Sequence, residues 1–156
     1  MKVWSCRWLL MTGLLALTAC GEGERLWLDQ RGEPISQSDL SGRYQVVNYW
    51  AEWCAPCRDE LPELNALADS YPQLAVIGIH FDRAEGEALL ALSERMGIEF
   101  SVLGHDYADE FGLVLPRVLP TTYLLDPEGR VLASLEGPQD KAQLLAALAE
   151  QGAELE

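Results

Sequence analysis

Two cysteines separated by two residues, Cys54 and Cys57, are the residues of this sequence with the clearest capacity for chemistry. A Cys-x-x-Cys pair that opens a helix can form an intramolecular disulfide with little movement. Unpaired N–H groups and the helix dipole stabilise a thiolate there and lower a cysteine pKa from about 8.5 to between about 3.5 and 7.5. We therefore predict thiol–disulfide exchange, in which Cys54 attacks a substrate disulfide and Cys57 resolves the mixed disulfide.

Two other roles for the pair fit the sequence less well. Half of a zinc site would need two further ligands, and the only candidates are His80, His105 and Cys20. A purely structural disulfide across so short a loop would gain little unfolded-state entropy. We therefore expect no metal, and no cofactor beyond the redox-active disulfide itself.

The segments on either side of the pair predict a strand followed by a helix. Residues 44–50 are rich in β-branched and aromatic residues and predict a central strand. Pro56 suits the first helical turn, where its missing N–H costs nothing. Beyond Cys57, leucines recur at helical spacing, and Pro62 inside this pattern predicts a kink.

The rest of the chain alternates between strand and helix patterns. Strands are predicted at 26–28, 34–35, 74–79, 100–103, 121–125 and 130–135, and helices near 84–96, in 105–115 and at 139–151. The segments 29–32 and 126–129 read as hairpin turns. This order of elements implies an α/β fold, with a mixed sheet covered by helices.

The first twenty residues differ in character from the rest. Two basic residues precede an apolar run at 8–19, which is too short for a spanning helix but fits a secretory signal. Its end, Leu17-Thr18-Ala19-Cys20, resembles the lipobox of bacterial lipoproteins. That resemblance implies cleavage before Cys20 and a diacylglycerol on its sulfur. An ordinary cleaved signal and a retained anchor are the alternatives.

The lipobox interpretation divides the chain into a signal peptide at 1–19, a tether at 20–25 and a domain at 26–156. Gly21 favours the outer over the inner membrane. Loss of Lys2 and Arg7 would take the formal net charge from −14 to −16, because two positive charges are removed. Such acidity argues against nucleic acid and against electrostatic attachment to an anionic membrane. A lipid anchor does not depend on charge.

A known family matches two separated segments of the sequence. Residues 50–57 resemble the thioredoxin active site, and residues 44–62 resemble the TlpA/ResA/DsbE branch of that superfamily. The similarity continues at 119–126 and 129–131 and spans roughly residues 26–150. It implies a thioredoxin-like fold with an N-terminal β-hairpin and an extra helix and strand within 84–115. It also implies a membrane-tethered, extracytoplasmic thiol–disulfide oxidoreductase.

The resemblance also assigns roles to residues around the disulfide. Pro120 matches the cis-proline that lies beside it in the family. The backbone of Leu119 is then expected to pair with the substrate chain. Trp53, Ala55 and Pro56 are expected to contact the substrate from the cysteine loop.

A carboxylate one turn after the cysteines separates this chain from thioredoxin itself. Asn48 stands where thioredoxins have a buried aspartate, and Glu60 matches a glutamate of the ResA branch. We expect Glu60 to raise the thiol pKa values and to relay a proton to or from Cys57. The alternative is a solvated glutamate favoured by the helix dipole. Elsewhere, we expect His80 to end a buried strand with local hydrogen bonds, and His105 to lie in a loop.

The function implied is reduction of disulfides in extracytoplasmic proteins by a monomer, with electrons from a membrane thiol transporter of the DsbD/CcdA kind. Apocytochrome c is one candidate substrate, but DsbE-type specialists carry Pro-Glu-Thr where this chain has Pro120-Thr121-Thr122.

A disulfide oxidant or isomerase on the same fold is the first alternative function. A thiol-based copper carrier is the second, although such carriers use wider cysteine spacing and a downstream histidine. A peroxiredoxin is disfavoured because no Pro-x-x-x-Thr-x-x-Cys segment is present.

Overall fold

A computed structural model describes residues 23–155. Its elements, in chain order, are β1 (Leu26–Leu28), β2 (Pro34–Ser36), α1 (Gln37–Leu40), β3 (Gln45–Trp50), α2 (Ala55–Ser70), β4 (Ala75–His80), α3 (Gly86–Arg95), β5 (Ser101–Leu103), α4 (His105–Glu110), β6 (Thr121–Leu125), β7 (Val131–Glu136) and α5 (Lys141–Glu150). The predicted signal peptide and the lipidation site at Cys20 lie outside the described residues.

Five of the strands form one mixed sheet in the order β5-β4-β3-β6-β7. Strand β3 pairs in parallel with β4 and antiparallel with β6, and the outer pairs are β4 with β5 and β6 with β7. Both β3 and β4 are buried at every position, as expected of strands covered on both faces. The predicted mixed sheet is confirmed, as are the N-terminal hairpin of β1 and β2 and the inserted segment α3-β5-α4.

Alternation along β3 divides the core into two clusters on opposite faces of the sheet. Val46 and Trp50 face one way and pack with leucines of α2 and α5. Val47 and Tyr49 face the other way and pack with Trp27 of the hairpin and with α4. The two-residue period of a strand is the reason that neighbouring side chains enter different clusters. The hairpin therefore covers one face of the sheet, opposite to α2.

Trp50 is wholly buried at the end of β3, in the cluster on the α2 face of the sheet. The neighbouring strand β4 has a glycine, Gly78, next to the Trp50 indole. A Cβ at that position would lie 3.0 Å from Trp50 Nε1 and 3.1 Å from Val102 Cγ2. The absence of a side chain at Gly78 thus leaves room for the indole of Trp50.

Two local details differ from the sequence predictions. Helix α1 was not predicted, because a single turn is too short to show a helical period. Its signal is a capping box, in which Ser36 Oγ accepts from Asp39 N and Asp39 Oδ2 accepts from Ser36 N. The prediction that His105 lies in a loop is wrong, since His105 is the first residue of α4. Among residues 23–155, no helix combines the length and apolar character that crossing a bilayer requires.

Candidate active site

The two cysteines lie where the chain leaves β3 and enters α2. Cys54 is the N-cap residue of α2, and its Sγ accepts a hydrogen bond from Cys57 N at 3.2 Å. A disulfide joins Cys54 to Cys57, with their Cα atoms 5.3 Å apart. Pro56 sits in the first turn, where an N–H would have no partner within the helix. In the reduced protein, the helix dipole and the free N–H groups would stabilise a thiolate at Cys54.

Accessibility distinguishes the two sulfur-bearing residues. Cys57 has no exposed surface, whereas Cys54 retains 4% of its own. A substrate disulfide can therefore reach Cys54 and not Cys57. This asymmetry is consistent with Cys54 as the attacking thiol and Cys57 as the resolving thiol.

The Leu119–Pro120 peptide bond is cis. Pro120 directly precedes β6, and the register of β3 with β6 pairs Tyr49 with Thr121. One residue further along that register, Pro120 lies opposite Trp50, at the end of the sheet from which the cysteine loop leaves. The structure thus brings the two separated motifs of the sequence to the same end of the sheet.

An exposed apolar surface surrounds this end of the sheet. Trp53 is 63% exposed, Ala55 and Pro56 are exposed, and Leu119 is half-buried. Sequence reasoning missed a second part of this surface, the loop before Leu119. Its side chains Val114, Leu115 and Val118 are all exposed. The available signal was a cluster of apolar residues without helical or strand period, next to the proline motif.

A buried polar network lies behind the cysteines. Glu60 is 1% exposed, and Asn48 and Thr122 have no exposed surface. Asn48 Nδ2 donates to Glu60 Oε2 at 2.9 Å and to Thr122 Oγ1 at 2.9 Å. Thr122 Oγ1 in turn donates to Glu60 Oε1 at 3.2 Å, and Gln139 N donates to the same oxygen at 3.3 Å. The alternative of a solvated Glu60 is therefore wrong, since side chains of the sheet and the backbone of Gln139, just before α5, surround the carboxyl group.

The environment of Glu60 shifts its proton affinity strongly. Burial raises the pKa of Glu60 to about 7, against the opposing effect of the hydrogen bonds from Asn48, Gln139 and Thr122. Both protonation states are thus populated near neutral pH, as a proton relay requires. Glu60 follows Cys57 by three residues, so the two lie on the same face of α2. Sequence reasoning missed Thr122 and Gln139, because only strand register and helix packing bring them here.

The two histidines lie beside the cysteine loop but build no metal centre. His80 ends β4 at 5% exposure, and its Nδ1 accepts from Ala84 N at 3.0 Å. His105 Nε2 lies 2.9 Å from the main-chain oxygen of His80. Within residues 23–155, no group of three or more His, Cys, Asp or Glu side chains is arranged to hold a metal ion.

Comparison with known proteins finds a matching family profile and relatives named for thiol–disulfide exchange. A family profile described as the AhpC/TSA family matches residues 19–134. The thiol-disulfide oxidoreductase ResA of Bacillus thuringiensis (strain Al Hakam) is 32% identical over 117 residues, covering 74% of this chain and 68% of ResA. The thiol:disulfide interchange protein HelX of Rhodobacter capsulatus is 35% identical over 107 residues, covering 67% of this chain and 59% of HelX.

A solved structure confirms the predicted fold class. The crystal structure of a thiol:disulfide interchange protein of the thioredoxin family from Chlorobium tepidum TLS superposes with a TM-score of 0.68 at 23% identity. The match covers 81% of this chain and 92% of that one. The α/β, thioredoxin-like architecture expected from the sequence is therefore correct.

Proposed function

This chain belongs to the AhpC/TSA family, and from that membership we infer that it is a thiol–disulfide oxidoreductase acting through Cys54 and Cys57. The observation that carries this inference is the Cys54–Cys57 disulfide at the start of α2, in which Cys54 retains 4% exposure and Cys57 none. The relatives named as thiol–disulfide oxidoreductases support the same activity.

The exchange proceeds in two balanced steps. The Cys54 thiolate attacks one sulfur of the substrate disulfide, which forms a mixed disulfide and releases the other substrate sulfur as a thiolate. The Cys57 thiolate then attacks Cys54 Sγ, which forms the Cys54–Cys57 disulfide and releases the second substrate thiolate. Two electrons pass to the substrate, and two protons convert its thiolates to thiols. We propose that Glu60 accepts the proton that Cys57 must lose before its attack.

We propose that the direction in the cell is reduction of the substrate. A carboxylate near the thiols disfavours their thiolates, and a less stable dithiol form is a stronger reductant. Substrates would be disulfide-containing proteins outside the cytoplasm, held against Trp53, Ala55, Pro56 and the backbone of Leu119 beside the cis Pro120. The enzyme would work as a monomer, re-reduced by a membrane thiol donor of the DsbD/CcdA kind.

The reduction potential of the Cys54–Cys57 pair tests this direction. We expect a value near that of thioredoxin, about −270 mV, from equilibration with glutathione or thioredoxin buffers and mass-spectrometric counting of free thiols. A value near about −120 mV, like that of DsbA, would contradict the proposal and favour the oxidant alternative. The variant Cys6→Ser is the control, because Cys6 lies outside the redox pair.

We further propose a lipid anchor on Cys20, following cleavage of a signal peptide at 1–19, with residues 20–25 as a tether to the domain at 26–156. The lipobox-like sequence ending in Cys20 supports this proposal. Several acyl chains would hold the protein on a membrane despite its acidity, since each buried CH₂ contributes about 0.8 kcal/mol. Gly21 makes the outer membrane the expected site.

Expression of Cys20→Ala in a bacterial host tests the anchor. We expect the wild type to fractionate with membranes and to carry diacylglycerol by mass spectrometry, whereas Cys20→Ala loses both properties. Cys6→Ala is the matched control and should behave as the wild type. Membrane retention of Cys20→Ala without added lipid mass would instead support an uncleaved anchor.

A further inference from the structure

The turn that follows β4 takes no part in the exchange chemistry, yet His80 holds it twice. The main-chain oxygen of His80 accepts from Arg83 N at 3.1 Å, which closes the turn 80–83. The ring of His80 then accepts from the next residue, with Ala84 N 3.0 Å from His80 Nδ1. One residue therefore fixes the turn through both its backbone and its side chain.

This turn carries the groups that orient Trp53. Asp82 Oδ2 accepts a hydrogen bond from Trp53 Nε1 at 2.7 Å. The ring of Phe81 meets the same indole edge to face, with centroids 6.0 Å apart. Because Trp53 is 63% exposed, these two contacts, rather than core packing, keep it in one orientation beside Cys54.

The turn is under backbone strain that its hydrogen bonds must offset. Arg83 has φ of 59°, in the left-handed region that a residue with a Cβ enters only at an energetic cost. The bonds to His80 from Arg83 N and Ala84 N hold the chain in this conformation. Loss of either bond would allow Arg83 to relax and would shift Asp82 and Phe81 with it.

The bond to the His80 ring exists only for the neutral imidazole. A backbone N–H can only donate, so Nδ1 must be free of a proton to accept from Ala84 N. A protonated Nδ1 would oppose this N–H and leave both groups without a partner in a site that is 5% exposed. Protonation of His80 therefore removes one of the two bonds that hold the turn.

We propose that His80 is a positioning residue for Trp53: its neutral ring holds the 81–84 turn, the turn holds the indole, and acidification releases this aromatic part of the redox face. The proposal rests on the proposed function only in that the substrate is taken to lie against Trp53. The position of the indole itself is independent of any catalytic activity.

The charged groups around His80 set the range in which the release occurs. Burial lowers the pKa of His80 from its ordinary 6.5, while the Asp82 carboxylate opposes the shift, His105 adds to it and Glu52 opposes it. Glu52 is paired with Arg95 at 3.1 Å, and Arg83 and Glu85 line the small cavity shared by the two histidines.

A lowered pKa keeps His80 neutral in the folded protein at pH values where the same residue is already protonated in the unfolded chain. The stability contributed above pH 6.5 is thus lost as the pH falls through the folded-state value.

The test follows the Trp53 indole N–H by NMR in the oxidised full chain held in detergent micelles, with Trp53→Phe assigning the signal. Protection of this N–H from solvent exchange, relative to free tryptophan at each pH, is measured from pH 8 to pH 5. We expect protection to fall about tenfold on acidification in the wild type, since a hydrogen bond of about 1.4 kcal/mol corresponds to that factor.

Two variants separate the ring's acceptor from its charge. His80→Asn offers Oδ1 near the position of Nδ1, so it should keep the neutral-pH protection and lose the pH dependence attributed to the ring. His80→Leu removes the acceptor and should give low protection at every pH. Asp82→Asn keeps an oxygen acceptor for the indole N–H but removes the charge of the side chain, and the pH dependence of the indole protection should persist in this variant. Because Glu60 is unchanged in all three, its titration cannot account for differences among them.

A pH profile of His80→Asn equal to that of the wild type would overturn the proposal. If His80→Leu does not fold, the comparison of wild type with His80→Asn still tests the proposal.

Reduction of insulin provides the second readout. Acid should raise the KM of the wild type more than the KM of His80→Asn, and the ratio of their kcat values should not change. An enzyme inactive on insulin at neutral pH would count against the proposed function, while the indole measurement would still judge the role of His80.

Discussion

Cys54→Ser is expected to lower disulfide exchange by about a thousandfold or more, because a serine hydroxyl does not replace a thiolate as nucleophile toward sulfur. Cys57→Ser should be equally unable to complete the cycle but should accumulate a covalent enzyme–substrate disulfide. The structural basis is that Cys54 retains exposed surface and Cys57 does not. The measurement is insulin reduction for turnover, together with non-reducing mass spectrometry for the trapped complex.

Cys6→Ser is the control for this pair of variants and should retain wild-type exchange. A trapped complex in Cys54→Ser, with none in Cys57→Ser, would reverse the assigned roles of attacking and resolving thiol. Exchange at wild-type rates in Cys54→Ser would remove the Cys-x-x-Cys pair from the mechanism altogether.

Glu60→Gln should change the pH dependence of stability more than any other single carboxylate substitution near the site. Burial raises the pKa of Glu60 to about 7 from an ordinary value of 4.5. Between these two values, the folded protein holds a proton that the unfolded chain has released. The contribution of Glu60 to stability is therefore fully present below pH 4.5 and is lost as the pH rises through about 7.

The expected size of this effect is about 3 kcal/mol in the free energy of unfolding, at about 1.36 kcal/mol for each pKa unit. Relative to Glu60→Gln, the oxidised wild type should lose this amount between pH 4.5 and pH 8, as measured by urea unfolding at a series of pH values. Glutamine can occupy the same space. Asn48 Oδ1, a buried oxygen without a hydrogen-bond partner among residues 23–155, can accept from the glutamine amide once the Asn48 side-chain amide turns over, because Asn48 Nδ2 faces Glu60 in the wild type. Asp59→Asn, an exposed site on the same helix, is the control and should show no such change. A difference between wild type and Glu60→Gln that stays constant with pH would contradict the prediction.

The same variant tests the proposed link between Glu60 and the thiols. We expect lower thiol pKa values in reduced Glu60→Gln than in the wild type, because a nearby negative charge has been removed. Thiolate absorbance or alkylation rate against pH gives these values. Thiol pKa values identical to those of the wild type would remove the proposed tuning and relay role, even if the stability effect is found.

The sequence by itself was sufficient for the redox pair and for most of the elements. The Cys54–Cys57 spacing, the N-cap position and Pro56 are all local to one strand-to-helix connection, so neighbouring residues determine them. The long periodic segments predicted β3, α2, β4 and α5 for the same reason. Helix α1 is a single turn, which has no period from which a helix can be predicted, and His105 opens a short helix where we expect a loop.

Only the tertiary structure decided the state of Glu60 and the role we propose for His80. The hydrogen-bond partners of Glu60 are 12, 62 and 79 residues away in sequence, and Glu60 is only 1% exposed among them. Likewise, Trp53 meets Asp82 across 29 residues, at the end of a different strand. Spacing along a chain determines which atoms can react, because bonded geometry is local. Desolvation and orientation sum over every element packed around a group, so the proton affinities and the substrate face emerge only once the sheet and its helices have assembled.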